Sequence, residues 1–306
     1  MSAEGSKKAI FAALTANAGI AIAKFIGWAI TGSSSMLAEG VHSIADTSNQ
    51  GLLLLGQNRS KREADRLHPF GYGRDRYFYS FVVALVIFSL GSLFAIYEGV
   101  HKIQHAGDHE LESPYVAIAI LVVAIALEGY SFLTAMKESR PLKGSSSWWQ
   151  FIRNARTPEL PVVLLEDSGA LIGLVLALAG VGLSMATGDP VWDGIGTLCI
   201  GVLLGMIAIV LIVEMKSLLI GEGATDDEDA AIRTALPGDG VDRIIHMKTQ
   251  YLGPDELMLA AKIAIAPGSD ATSIAKAIDA AEARVRAAVP QTRVIYLEPD
   301  IDRGEP

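Results

Sequence analysis

The chain has 306 residues, 51% of them hydrophobic and only 19% charged, with a formal net charge of -9 and a mean hydropathy of +0.37. Soluble domains average about 45–50% apolar and about 25% charged residues, so a disordered chain is excluded and a single soluble globule is disfavoured. The acidic balance argues against nucleic acid as a partner, and the single cysteine, Cys199, excludes a disulfide framework or a cysteine-built zinc finger.

The apolar residues collect in runs, and a bilayer core takes about 20 helical residues to cross. Six spans are expected, at 9–31, 34–56, 77–100, 114–136, 160–186 and 191–215. The second is the least obvious, because Glu39, His42, Asp46, Asn49 and Gln50 interrupt it. The first is too long for a cleaved signal peptide and lacks its small-residue cleavage site. Arg59, Lys61, Arg62, Arg66, Arg74 and Arg76 follow the second span, and Lys137, Arg140, Lys143, Arg153 and Arg156 follow the fourth. On the opposite side stand only Lys102 and the tight turn Ala186-Thr187-Gly188-Asp189. This asymmetry, with Lys7 and Lys8 near the start, places both termini in the cytoplasm. Without a transit peptide, the expected home is a bacterial inner membrane. Trp148 and Trp149 suit either an interfacial anchor or the packing of a short helix.

Charged groups within a bilayer cost at least about 2.5–3.5 kcal/mol each at its centre, so they point to function or to pairing. In the second span Glu39, His42, Asp46 and Asn49 are spaced three, four and three apart, which puts all four on one helical face. His42 and Asp46 lie one turn apart, so imidazole and carboxylate can converge on one ion. The fifth span adds Glu166 and Asp167, and the fourth adds Glu128. Imidazole and carboxylate without thiolate suit Zn²⁺ or a neighbouring transition metal, without singling one out. Lys24 is expected to neutralise a buried carboxylate, and Glu98 to snorkel to water.

Between the second and third spans runs Asp65-Arg66-Leu67-His68-Pro69-Phe70-Gly71-Tyr72-Gly73. It reads either as a tight charged turn or as a secondary metal site built on Asp65 and His68. His101, His105 and His109 recur every four residues and suit a solvated helix end or a metal-collecting patch.

Residues 221–306 read as a separate soluble module carrying 16 acidic and 9 basic residues. The pattern is helix 225–236, strands 240–251 and 256–266, helix 270–288 and strand 292–298. Ile274, Ala277, Ile278, Ala281 and Val285 form the apolar stripe of its second helix, and a turn falls at Gly253-Pro254. Two helices on one face of a small sheet make a ferredoxin-like α+β domain. Asp226-Asp227-Glu228-Asp229 suits the positive end of a helix dipole. The expected architecture is an α-helical membrane protein, with a six-helix transmembrane domain over 1–220 and a cytosolic carboxy-terminal domain over 221–306.

Taken together, these residues resemble the cation diffusion facilitator family, most closely its zinc transporter 9-like branch. The resemblance runs through Asn17, Lys24 and Gly27, the stretch Leu37-Ala38-Glu39-Gly40-Val41-His42-Ser43-Ile44-Ala45-Asp46, and the loop His68-Pro69-Phe70-Gly71-Tyr72-Gly73. It continues through Tyr97-Glu98-Gly99, Leu164-Leu165-Glu166-Asp167 and Asp193. It implies a homodimer exporting Zn²⁺ or a related divalent ion from the cytoplasm in exchange for protons, with no organic cofactor and no enzymatic activity. It also implies a transport site of two pairs, each spaced by four. His42 and Asp46 match the first pair and Asp167 the second member of the other, whose first member falls on Val163, which cannot bind metal. Glu166, Asn49 or water would complete the coordination, with Glu128 as a proton carrier. At the loop site a third ligand position falls on Tyr72. In the carboxy-terminal domain the family's ligand positions fall mostly on Ile245, Lys262 and Tyr296, with His246 and Glu298 nearby, so dimerisation with little or no metal binding is expected there.

Two other classes remain. A non-transporting metal sensor or assembly partner would use the same membrane fold. An intramembrane metal-dependent hydrolase would need a nucleophile or general base, and neither His-Glu-x-x-His nor Gly-x-Ser-x-Gly is present.

Overall fold

The computed structural model describes residues 18–105 and 114–301. The expectations that fall on Lys7, Lys8, Asn17, His109 and residues 9–17 lie outside the described residues. Helices α1 (Ala18–Thr31), α2 (Ser34–Arg59), α3 (Asp75–Gln104) and α4 (Pro114–Lys143) are followed by a short α5 (Trp148–Asn154), then α6 (Glu159–Thr187) and α7 (Val191–Ile220). Among the described residues four helical stretches are long and apolar enough to cross a membrane: α3, Pro114–Thr134 of α4, Pro161–Thr187 of α6, and α7. The described part of α1 is apolar but shorter, and α2 carries the polar stripe that lowers its hydropathy.

These helices bury small and polar residues beside aliphatic ones such as Leu121, Leu174 and Leu211, and turn many further aliphatic side chains outward. Ile22, Leu90, Leu93, Val123, Leu133, Ile209 and Val213 are all more than half exposed. An apolar surface of that extent suits lipid rather than water. Small residues let backbones meet. A Cβ on Gly99 of α3 would sit 2.7 Å from the Leu198 amide nitrogen and 2.9 Å from the Gly194 carbonyl oxygen of α7. The turn expected at 186–189 is present: Gly188 takes φ 71° and donates its N–H to Ser184, ending α6. Trp148 opens α5 and meets Phe151 edge-on, with Ser147 and Gln150 forming a capping box.

The chain divides into two compact units: Met1–Gly56 with Tyr79–Met215, and Gln57–Phe78 with Lys216–Pro306. The connection between α2 and α3, expected with the membrane part, groups instead with the carboxy-terminal residues. Backbone approach explains this: a Cβ on Gly73 would lie 2.8 Å from the Leu252 carbonyl oxygen, and Arg76 pairs with Asp255 at 3.0 Å.

In that second unit follow α8 (Asp226–Ala235), β1 (Val241–Gly253), β2 (Glu256–Ile265), α9 (Ala271–Ala288) and β3 (Thr292–Asp300). β1 pairs antiparallel with β2 through the turn at Gly253-Pro254, and β2 pairs parallel with β3, the return being made by α9. Ile232 of α8 and Leu236 at its carboxy-terminal cap, alternate residues Leu257, Leu259, Ala261 and Ile263 of β2, and Ala277, Ala281 and Val285 of α9 share one core. Alternation on the strand and three-to-four spacing on the helix aim both sets the same way. The acidic first turn of α8 is capped by Thr225 and Glu228 in a reciprocal box. Asp270 caps α9 through the Ser273 amide, which holds its carboxyl below the usual range.

Candidate metal centre

The α2 stripe turns inward as its spacing requires. Glu39, His42, Asp46 and Asn49 are all buried, while Ile44, Ser48 and Leu55 on other faces are exposed. Nδ1 of His42 lies 3.6 Å from Oδ1 of Asp46. Opposite stands Glu166 of α6, 4% exposed and within interaction range of both Asp46 and Asn49. Despite that proximity, Oδ1 of Asp46, Oε2 of Glu166 and both amide atoms of Asn49 are buried without hydrogen-bond partners. Such groups are costly to bury unsatisfied, and three of these four atoms are oxygens able to face a cation.

Asp167 points elsewhere, since one helical residue is about 100° of rotation. The Ser131 hydroxyl of α4 donates to its Oδ2 at 3.5 Å, and Glu128, one turn earlier on α4, lies within electrostatic reach. The structure thus brings Glu166 to the α2 stripe and sets Asp167 with Ser131 and Glu128, Asp46 still being within Asp167's electrostatic range. Val163 lies one turn before Asp167. Among the described residues no three His, Cys, Asp or Glu side chains already cluster closely enough to hold an ion.

Two polar networks frame this region. Lys24 of α1 is 1% exposed and donates to Oε2 of Glu39 at 3.0 Å and to the Ser43 hydroxyl at 2.8 Å, the neutralising role expected of it. The other is centred on Asp193, at the start of α7. Its carboxylate accepts from the Ser33 hydroxyl at 2.9 Å and from the Ser34 amide and hydroxyl at 2.8 and 3.1 Å. Sequence reasoning passed over this network, although a run of three serines where a helix begins is a capping signal.

At the loop, Asp65 Oδ1 accepts the Leu67 and His68 amides at 2.9 and 2.8 Å, and Oδ2 accepts the Tyr72 hydroxyl at 2.6 Å. The tyrosine bond, then the His68 amide, holds the Asp65 carboxyl down at about 2 and pushes the Tyr72 phenol up. His68 Nδ1 stands 3.4 Å from Asp65 and its ring lies beside Tyr72. Both Asp65 oxygens thus serve the turn itself. In the sheet, His246, Lys262 and Glu298 lie in register across β1, β2 and β3. The Lys262 ammonium sits 3.1 Å from Asp300 and 3.3 Å from Glu298, and these carboxylates raise its pKa. An ammonium there meets the charge that a metal would otherwise neutralise.

The model of the cation efflux transmembrane domain matches residues 10–220. The chain belongs to the cation diffusion facilitator family. Human proton-coupled zinc antiporter SLC30A9, mitochondrial, is 34% identical over 264 residues, 85% of this chain and 46% of that protein. Metal tolerance protein C4 of Arabidopsis thaliana is 34% identical over 265 residues, 84% of this chain and 57% of its own. Magnetosome protein MamB of Paramagnetospirillum magneticum is more distant, at 22% over 295 residues, 95% of this chain and 93% of its own. The chain spans about half the length of the SLC30A9 and C4 relatives, and falls in the zinc transporter 9-like branch. Named as antiporters, the SLC30A9 relatives are transporters, not enzymes. Among solved structures, a MamM carboxy-terminal domain covers 25% of this chain at 20% identity and a TM-score of 0.23, too low to bear on the fold.

Proposed function

We propose that this chain is a secondary transporter that exports Zn²⁺, or a related divalent transition metal, from the cytoplasm in exchange for protons. One observation carries the reading: buried oxygens of Asp46, Asn49 and Glu166 lack hydrogen-bond partners around a histidine–aspartate pair. His42, Asp46 and Glu166 are the ligands, with the Asn49 carbonyl or water completing the shell. Metal and proton compete for the same groups, because a ligand must lose its proton to bind. Asp167, bonded to Ser131 beside Glu128, lies on the α4 side and serves as the proton-carrying branch, with indirect effect on metal affinity. The incomplete convergence of the ligands suits a site that must release its cargo.

The full architecture belongs to the same proposal: six spans formed by α1–α4, α6 and α7, a ferredoxin-like carboxy-terminal module, a homodimer, and both termini on the side of the basic loops. The relatives named mitochondrial lend no support to a bacterial inner membrane, so the proposal concerns sidedness only. Lys262, bridging Glu298 and Asp300, favours a carboxy-terminal module that dimerises without metal.

Zn²⁺ flux into proteoliposomes under an imposed pH gradient tests the reading. Asp46→Asn and Glu166→Gln should abolish flux, while Asp167→Asn should retain Zn²⁺ binding and lose its dependence on the gradient. Full flux in Glu166→Gln would refute the ligand assignment. A second reading, a metal sensor, is kept by Val163, which cannot bind metal and leaves the second ligand pair incomplete. Binding without flux by the purified chain would select it.

A further inference from the structure

We propose a second, independent metal site at the carboxy-terminal end of α3, where His101 and His105 form a bidentate imidazole pair for one borderline divalent cation such as Zn²⁺ or Cu²⁺. It lies at the opposite end of the span from Asp75, so it shares no residue with the α2 and α6 groups.

The spacing is the first argument. Two histidines four apart on a helix face the same way, the arrangement by which helical His-x-x-x-His pairs seize zinc. The backbone holds that spacing to the helix end, since the His105 amide donates to the His101 carbonyl at 3.1 Å. The rings already lie together, with centroids 4.5 Å apart and planes inclined by 26°. A tetrahedral ion with Zn–N bonds of about 2.0–2.1 Å needs its two nitrogens about 3.3 Å apart, which the stacked pair reaches when the His101 ring turns so that the two in-plane lone pairs converge.

The tautomer is the second argument. Nδ1 of His105 lies 3.0 Å from the His101 carbonyl oxygen. A carbonyl oxygen only accepts, so Nδ1 carries the proton and Nε2 presents its lone pair outward. A ring N–H bonded to a carbonyl is the supporting contact that orients metal-binding histidines. Nearby charge does not oppose a cation. Lys102, between the two rings in sequence, is buried and spends its ammonium on the Gly32 carbonyl at 3.1 Å. Glu98, three residues before His101, adds a negative charge on the same face. Both histidines are exposed, leaving the remaining coordination positions to water.

Titration calorimetry with Zn²⁺, and electron paramagnetic resonance with Cu²⁺, on the full chain in nanodiscs test this. The wild-type chain should bind one more equivalent of Zn²⁺ than the His101→Ala/His105→Ala variant, and its Cu²⁺ spectrum should show coupling to two imidazole nitrogens. His101→Ala alone and His105→Ala alone should each weaken that equivalent at least tenfold, because chelation needs both rings. The equivalent should persist in Asp46→Asn, so loss of the α2 site leaves this one measurable. Equal stoichiometry in wild type and double variant overturns the proposal, as does a single variant that binds as tightly as wild type. An unchanged thermal midpoint in the double variant verifies that folding is intact.

Discussion

Replacing Lys24 by methionine removes a cation from among the helices while leaving Glu39 in place. Lys24 and Glu39 are 1% and 0% exposed, so solvent screening discounts nothing. At the observed 3.0 Å, an effective dielectric near 20 gives a gross attraction of about 5.5 kcal/mol, offset by the desolvation of both groups. Removing one partner of such a pair costs about 3–5 kcal/mol, because the remaining charge is buried without its neutralising partner. The cost is accentuated here by the setting of the glutamate. Oε1 of Glu39 packs against Gly173, where only a glycine fits, and is buried without a hydrogen-bond partner even with the lysine present. Lys24→Met and Glu39→Gln are each expected to destabilise by about that amount. The double variant should recover most of the loss, giving a coupling above about 2 kcal/mol. Reversible unfolding of the four proteins in mixed detergent micelles measures the cycle. Single variants within about 1 kcal/mol of wild type, or strictly additive losses, would refute the reasoning.

Three further outcomes follow from the same geometry. Asp193→Ala strands the Ser34 amide and the Ser33 hydroxyl in a buried network and leaves the Ser34 hydroxyl only Thr197, so a loss of about 3 kcal/mol is expected, with a smaller one for Asp193→Asn, measured by the same unfolding. Gly99→Val must force α3 from α7, because the atoms met are backbone, and should cost more than about 2 kcal/mol. Gly182→Ala on α6, with nothing within 4 Å of its Cβ, should instead be neutral or stabilising; equal losses in both would count against close backbone packing. At the loop, the depressed Asp65 carboxyl contributes stability that is complete above the unfolded value of about 3.9 and is lost as the pH falls through about 2. Tyr72→Phe should move the Asp65 carboxylate titration upward in nuclear magnetic resonance, and an unmoved midpoint would remove the hydroxyl as its main cause.

Much of the fold is legible in one chain because the physics is periodic. The strands and helices of residues 221–306 begin and end within a few residues of expectation, since alternation and three-to-four spacing report burial directly. The α2 stripe is legible for the same reason: Glu39, His42, Asp46 and Asn49 share a face whatever lies opposite. Periodicity on one element says little about its partner. Glu166 and Asp167 are adjacent in sequence and equally acidic, so only the rotation of α6 against α2 and α4 separates them. The sequence offset that matched Asp167 to a ligand position carries no information about that rotation.

Composition and spacing alone determined that this is a membrane protein with an imidazole–carboxylate stripe and a small α+β module, because both depend on local period and hydropathy. The tertiary structure decided which carboxylate meets the stripe, that Lys24 is spent on Glu39, that Ser33 and Ser34 gather on Asp193, and that residues 57–78 pack with the carboxy-terminal unit. Each of these is a contact between groups 15 or more residues apart, set by how helices and backbones pack, which no one-dimensional pattern records.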